Sequence, residues 1–142
     1  GDHRDLHLSL RRQRQMCIRD RPLSTVSTFI DEARVEISKL GNFRINCFGH
    51  LGDGNLHFNI FPNKGEKRED YNYIRPEIKT TIHDLVHLHG GSVSAEHGIG
   101  RLKINDLVKY SDPIKLKLNR SIKAVMDPKG ILNPGVIFAS NQ

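Results

Sequence analysis

The sequence predicts an α+β fold: an antiparallel, ferredoxin-like sheet with helices on one face, followed by a C-terminal helical segment. Three observations predict it. Residues 25–40 and about 71–89 carry apolar side chains at three- and four-residue steps, the period of a helix lying on a core. Between them, residues 43–50 (FRINCFGH) and 55–61 (NLHFNIF) read as strands. The order helix, strand, strand, helix, strand then builds one antiparallel layer. With 142 residues, 37% of them hydrophobic, the chain fills one core and is too short for a complete two-domain cofactor enzyme.

Each element has its own signal. Val26, Phe29, Ile30, Ala33, Ile37 and Leu40 make the stripe of the first helix, which Ser24 or Thr25 caps and Gly41 ends. The tight Leu51–Gly54 segment turns one strand into the next as a hairpin. A polar, Lys-rich loop from Pro62 to about Asp70 is the one candidate low-order segment of the domain. The long helix that follows, from about Tyr71 to His89, buries Ile74, Ile78, Ile82, Leu85 and Val86 and stops at Gly90-Gly91. Ser92–Ala95 reads as a short strand. A short helix covers roughly Leu102 to Lys109. Another starts at Asp112-Pro113, where Pro suits the first helical position, with Ile114, Leu118, Ile122, Val125 and Met126 as its apolar face. The chain ends in a turn-rich DPKGILNPG segment, Asp127 to Gly135.

Charge and composition narrow the function classes. The net charge is +6, and residues 1–21 alone hold six Arg against three Asp. A basic arm suggests nucleic acid or an anionic surface, but this one has no aromatics and no periodic apolar pattern, so no nucleic-acid partner is expected. No apolar run approaches the roughly 20 residues of a membrane span, and no standard secretion signal is visible. Cys17 and Cys47 form neither a disulfide framework nor a zinc-ribbon pattern, and suit a reducing, cytoplasmic setting. Residues 1–21 are set aside as a disordered or artefactual tail. Arg11–Arg21 resembles a translated sequencing adapter, and patterning begins only at Pro22. The domain is placed at 22–142.

Two segments carry chemistry. In Gly49–Asn59 (GHLGDGNLHFN), a hairpin brings His50 toward His57. On the second strand Asn55, His57 and Asn59 share one face, away from Leu56, Phe58 and Ile60. In Ser94–Gly100 (SAEHGIG), Glu96 and His97 are adjacent and point in different directions, so one can hold a metal while the other faces a substrate. Two imidazoles and a carboxylate suit a borderline divalent ion with open positions. Either segment alone also reads as an ordinary glycine turn. His83 and His87 are spaced as in a zinc-protease helix, with Asp84 in place of the usual Glu, but no third ligand is near, and the pair is expected on the solvated flank of its helix.

Together, GHLGDGNLH (Gly49–His57), GGSVSAEHGIGRLK (Gly90–Lys103) and MDPKGILNPG (Met126–Gly135) closely resemble the C-terminal half of FAD-linked oxidases of the D-lactate, D-2-hydroxyglutarate and glycolate dehydrogenase group. The resemblance covers about Pro22 to Phe138. It implies a cap domain that shapes the substrate site beside a separate FAD domain. It implies a divalent metal, zinc in the 2-hydroxyglutarate dehydrogenases, on His50, His57 and Glu96. It further implies His97 as general base and substrate contact, Asn59 as a substrate-binding amide, and Asn133 near the flavin. Asn55 would orient the loop. The implied partners are a small 2-hydroxy acid and the absent FAD-binding domain. The family's substrate-binding Arg and a Lys lie upstream of the matching region, and Val136 stands where the family often has Lys. The fragment alone is therefore expected to be inactive and to expose a surface that the missing domain would bury. The alternative is a non-enzymatic metal-binding or interaction module on the same hairpin.

Overall fold

The apolar stripe of residues 26–37 becomes helix α1, Val26–Leu40, with Val26, Phe29, Ala33 and Ile37 buried. The structure, a computed structural model, describes residues 17–18, 23–50, 52, 54–94 and 98–139. They fall into two compact units, 1–96 and 97–142. The elements are β1 (Cys17–Ile18), α1, β2 (Arg44–His50), β3 (Asn55–Phe61), α2 (Arg75–Leu88), α3 (Ile104–Tyr110) and α4 (Pro113–Met126). The chain is thus α+β, as its patterning predicts.

In the first unit the three strands form one antiparallel sheet in the order β1-β3-β2. The β2–β3 register runs from Arg44 opposite Phe61 to His50 opposite Asn55. Alternation along β3 sends Phe58 to the helical side, where its ring meets Phe29 of α1 edge-on at 5.9 Å. Helix α2 packs on α1 through Ile78, Ile82 and Val86, one residue per turn or so along a single face. Beyond α2, Gly90 adopts a left-handed conformation (φ 69°). Gly90 N–H donates to the His87 carbonyl and Gly91 N–H to the Val86 carbonyl, which closes a Schellman cap.

Several expectations change. Residues 1–21 were expected outside the fold, yet Cys17 pairs with His57 and Ile18 with Leu56. The added strand gives β3 backbone groups a partner on their second edge and makes β3 the central strand. The long helix starts at Arg75 instead of Tyr71, because Pro76 lacks an N–H and its ring clashes with a preceding helical carbonyl; it is accommodated in the first turn. Residues 68–71 form a separate 3-10 turn. The Pro62–Asp70 loop is held in place: Asn63 N–H donates to Glu66 Oε2 (2.9 Å), Asn63 Nδ2 to the Asn42 carbonyl (3.0 Å), and Tyr71 Oη to Glu66. The Tyr71 bond is the main cause that holds the Glu66 carboxyl below its usual range. The strand expected at Ser92–Ala95 reduces to an isolated bridge at Ser92. Ser94 N–H donates to Ser92 Oγ (3.3 Å) and the two hydroxyls pair at 2.8 Å, so local side-chain bonds bend the backbone instead. Ala95 lies outside the described residues.

The second unit is helical. Asp112 caps α4 by accepting from Ile114 N–H (2.8 Å) and Lys115 N–H (3.0 Å), with Pro113 at the first position. The apolar face of α4 forms as its spacing predicts but is not buried: Ile114, Leu118, Ile122, Val125 and Met126 are all exposed. Among the described residues no helix is long and apolar enough to cross a membrane.

Candidate functional site

The face of the sheet opposite Phe58 carries the polar residues. Successive strand residues alternate sides, and facing residues of paired strands share a side. The register therefore assembles Asn46, Phe48 and His50 from β2 with Asn59, His57 and Asn55 from β3 on one face. Asn55, His57 and Asn59, on the central strand, are buried at 4%, 8% and 5% exposure. His50, at the end of the edge strand, is exposed.

His50 lies opposite Asn55, and His57 is two residues further along β3. The two histidines are thus diagonal neighbours on one face, a Cα spacing of about 7–8 Å in such sheets. Two imidazoles reaching inward across that span can meet one ion. The hairpin expectation for this pair holds in the register, although Leu51 and Asp53 of its turn lie outside the described residues. The Phe48 ring stacks on His57 at 5.1 Å and 25°, which restrains the imidazole. Sequence reasoning missed Phe48 and Asn46. Counting back in steps of two from His50 would have found both.

Asn55 Oδ1 is buried without a hydrogen-bond partner among the described residues. A buried amide oxygen normally has a donor, so this orphan, between the two histidine positions, suits a ligand donor or a cation. Among the described residues no group of three or more His, Cys, Asp or Glu is arranged to hold a metal. Glu96 and His97 lie outside those residues. Cys47 projects to the opposite side from His57, and burial pushes its thiol up to about 11, so it stays protonated at neutral pH. His83 and His87 do not form a solvated pair. His83 is 2% exposed within the core, and only His87 faces solvent, because the buried stripe of α2 is wide enough to take in His83. Asn133 belongs to the second unit, exposed and left-handed at φ 48°.

Gly49 sets the closeness of the two strands at this end. A Cβ there would sit 2.0 Å from the Asn55 carbonyl oxygen. Gly49→Ala is therefore expected to pry β2 from β3 beside His50 and to cost about 1–3 kcal/mol. Thermal melts of the variant would show it, together with faster amide exchange at Leu56 and His57. Unchanged exchange there would mean that the strands do not approach this closely.

The family model described as FAD linked oxidases, C-terminal domain, matches residues 20–137. The D-2-hydroxyglutarate dehydrogenase of Stutzerimonas stutzeri is 40% identical over 100 residues, which are 70% of this chain and 21% of that protein. The mitochondrial D-2-hydroxyglutarate dehydrogenase of Arabidopsis thaliana is 37% identical over 114 residues, 80% of this chain and 19% of that protein. The D-lactate dehydrogenase of Anaerostipes hadrus is 32% identical over 116 residues, 82% of this chain and 24% of that protein. The chain spans about a fifth to a quarter of the length of these relatives.

Proposed function

This chain belongs to the family of FAD-linked oxidase C-terminal domains, and on that basis we propose that it is the substrate-side domain of a flavoenzyme oxidising a D-2-hydroxy acid to the 2-oxo acid. The observation that carries the reading is the shared face of His50, His57, Asn55 and Asn59, with its unpartnered buried amide oxygen. The domain is placed at 22–142, while the family match begins at residue 20 and Cys17–Ile18 adds a strand to the same sheet. Its setting is cytoplasmic, or mitochondrial as the name of the plant relative states for that protein.

His50, His57 and Glu96 would hold a divalent ion, zinc being the ion that suits two imidazoles and a carboxylate. When bound, that ion supplies Lewis acidity toward the carboxylate and hydroxyl of the acid. Phe48 keeps the His57 ring oriented. Asn59 offers its amide to the substrate carboxylate. His97 takes the hydroxyl proton, a task that suits imidazole near neutral pH. Asn133 lies on the flavin side. When bound, FAD would supply the acceptor for the hydride from C2, held mainly by a part of the flavoenzyme outside this domain.

Titration of the 142-residue chain with Co²⁺, a coloured substitute for zinc, tests the metal site. One equivalent is expected to bind with visible ligand-field bands. His57→Ala and His50→Ala should each weaken binding at least about 100-fold, whereas His87→Ala, on the exposed flank of α2, should leave it unchanged. Equal Co²⁺ affinity in His57→Ala and wild type would overturn the site.

A further inference from the structure

We infer that Asp127 is a positioning residue, a clamp that holds the 127–135 loop so that Asn133 is presented in one fixed conformation. The inference rests on the reading of Asn133 as a flavin-side residue. Helix α4 ends at Met126, and the next side chain, Asp127, is 6% exposed although it starts a surface loop. Both carboxylate oxygens are used. Oδ1 accepts from Ile131 N–H (2.9 Å), and Oδ2 accepts from Leu132 N–H (2.9 Å) and from Lys123 Nζ (2.6 Å). Lys123 Nζ also donates to the Leu132 carbonyl (2.6 Å). One carboxylate and one ammonium thus tie both backbone polar groups of Leu132 to the last turn of α4.

The residue after that tie is Asn133. Its φ of 48° lies in the left-handed region, which Asn tolerates better than most residues but still adopts only where its surroundings impose it. Its carbonyl accepts from Val136 N–H (3.1 Å), closing the following turn. Asn133 borders two grooves of the second unit, of about 510 and 420 Å³, and Lys123 and Phe138 line both. A nine-residue loop without regular structure gains little stability from its own contacts. A buried carboxylate at its first residue is a costly way to order a mere connection, and a good way to preorganise a side chain at a groove edge. Lys123 is the main cause that holds the Asp127 carboxyl below its usual range, so the clamp is charged at neutral pH.

NMR of the 142-residue chain tests this. In wild type, Ile131 and Leu132 amides should exchange slowly and Asn133 Cα and Cβ shifts should report the left-handed conformation. Asp127→Ala should raise exchange at Ile131 and Leu132 at least tenfold and move the Asn133 shifts toward loop averages, while the amides of α4 stay protected. Asp127→Asn, which keeps an acceptor, should restore part of both signals. Should Asp127→Ala unfold α4, Lys123→Met reports on the same clamp. Unmoved Asn133 shifts in Asp127→Ala, with α4 folded, or in Lys123→Met if that fallback is needed, would overturn the clamp. In a chimera that takes its flavin domain from the Stutzerimonas stutzeri relative, Asn133→Ala should slow flavin reduction at least fivefold. Equal rates there would remove the flavin role of Asn133 and leave the clamp to be judged on the conformational signals alone.

Discussion

His97→Ala is expected to slow flavin reduction by about 10²–10⁴-fold, the usual worth of a positioned general base. The measurement needs a flavin domain. A suitable enzyme is the Stutzerimonas stutzeri relative with residues 22–138 of this chain in place of its matching segment. Oxidation of a 2-hydroxy acid breaks the O–H and C2–H bonds and forms the C2=O double bond. The hydride carries two electrons to the flavin, and the hydroxyl proton needs an acceptor at the same moment. His97 is that acceptor in the proposed arrangement. The loss should therefore fall on kcat in stopped-flow flavin reduction, while metal affinity changes only a few fold. The acid limb of the pH–rate profile, where protonation removes the base, should vanish with it. Equal reduction rates in variant and parent chimera would remove the base assignment and leave the metal site standing.

Phe29→Ala is expected to cost the first unit about 3–5 kcal/mol. Phe29 is fully buried, meets Phe58 of β3 edge-on at 5.9 Å, and meets the His89 ring at 6.0 Å. His89 in turn holds Glu32 of α1 at 2.6 Å. One ring thus joins the sheet, α1 and the end of α2. Small domains are stable by only about 5–15 kcal/mol, so the variant should approach its unfolding midpoint in mild urea. Circular dichroism would follow this as a lowered midpoint at unchanged slope. Val35→Ala, on the exposed side of the same helix, should shift the midpoint little. A shift in Phe29→Ala equivalent to less than about 1 kcal/mol would mean that this ring is not the joint of the core.

Much of the fold is legible in the sequence because its signals are local. Helix α1 follows from a stripe at three- and four-residue steps, and α4 from Asp112 and Pro113, whose capping chemistry acts within one turn. Strands β2 and β3 emerge within a residue of their expected ends. Pro76 shows the same rule from the other side, since a local backbone constraint, overlooked in the stripe, sets where α2 begins.

The likeness of three short motifs to FAD-linked oxidases also needs no coordinates, and the match over residues 20–137 agrees with it. Tertiary structure decided what no local window contains. Burial of His83 but not His87 depends on how widely α2 is covered, which is a property of its neighbours. Cys17–Ile18 joins the sheet because β3 offers an open edge, not because those residues announce a strand. Phe48 reaches the site only through its register opposite His57, and Asp127 meets Ile131 and Leu132 only because the loop folds back on α4. Sequence patterns encode which face a residue takes along its own element. What lies across from that face is settled by packing and hydrogen-bond satisfaction summed over the whole unit.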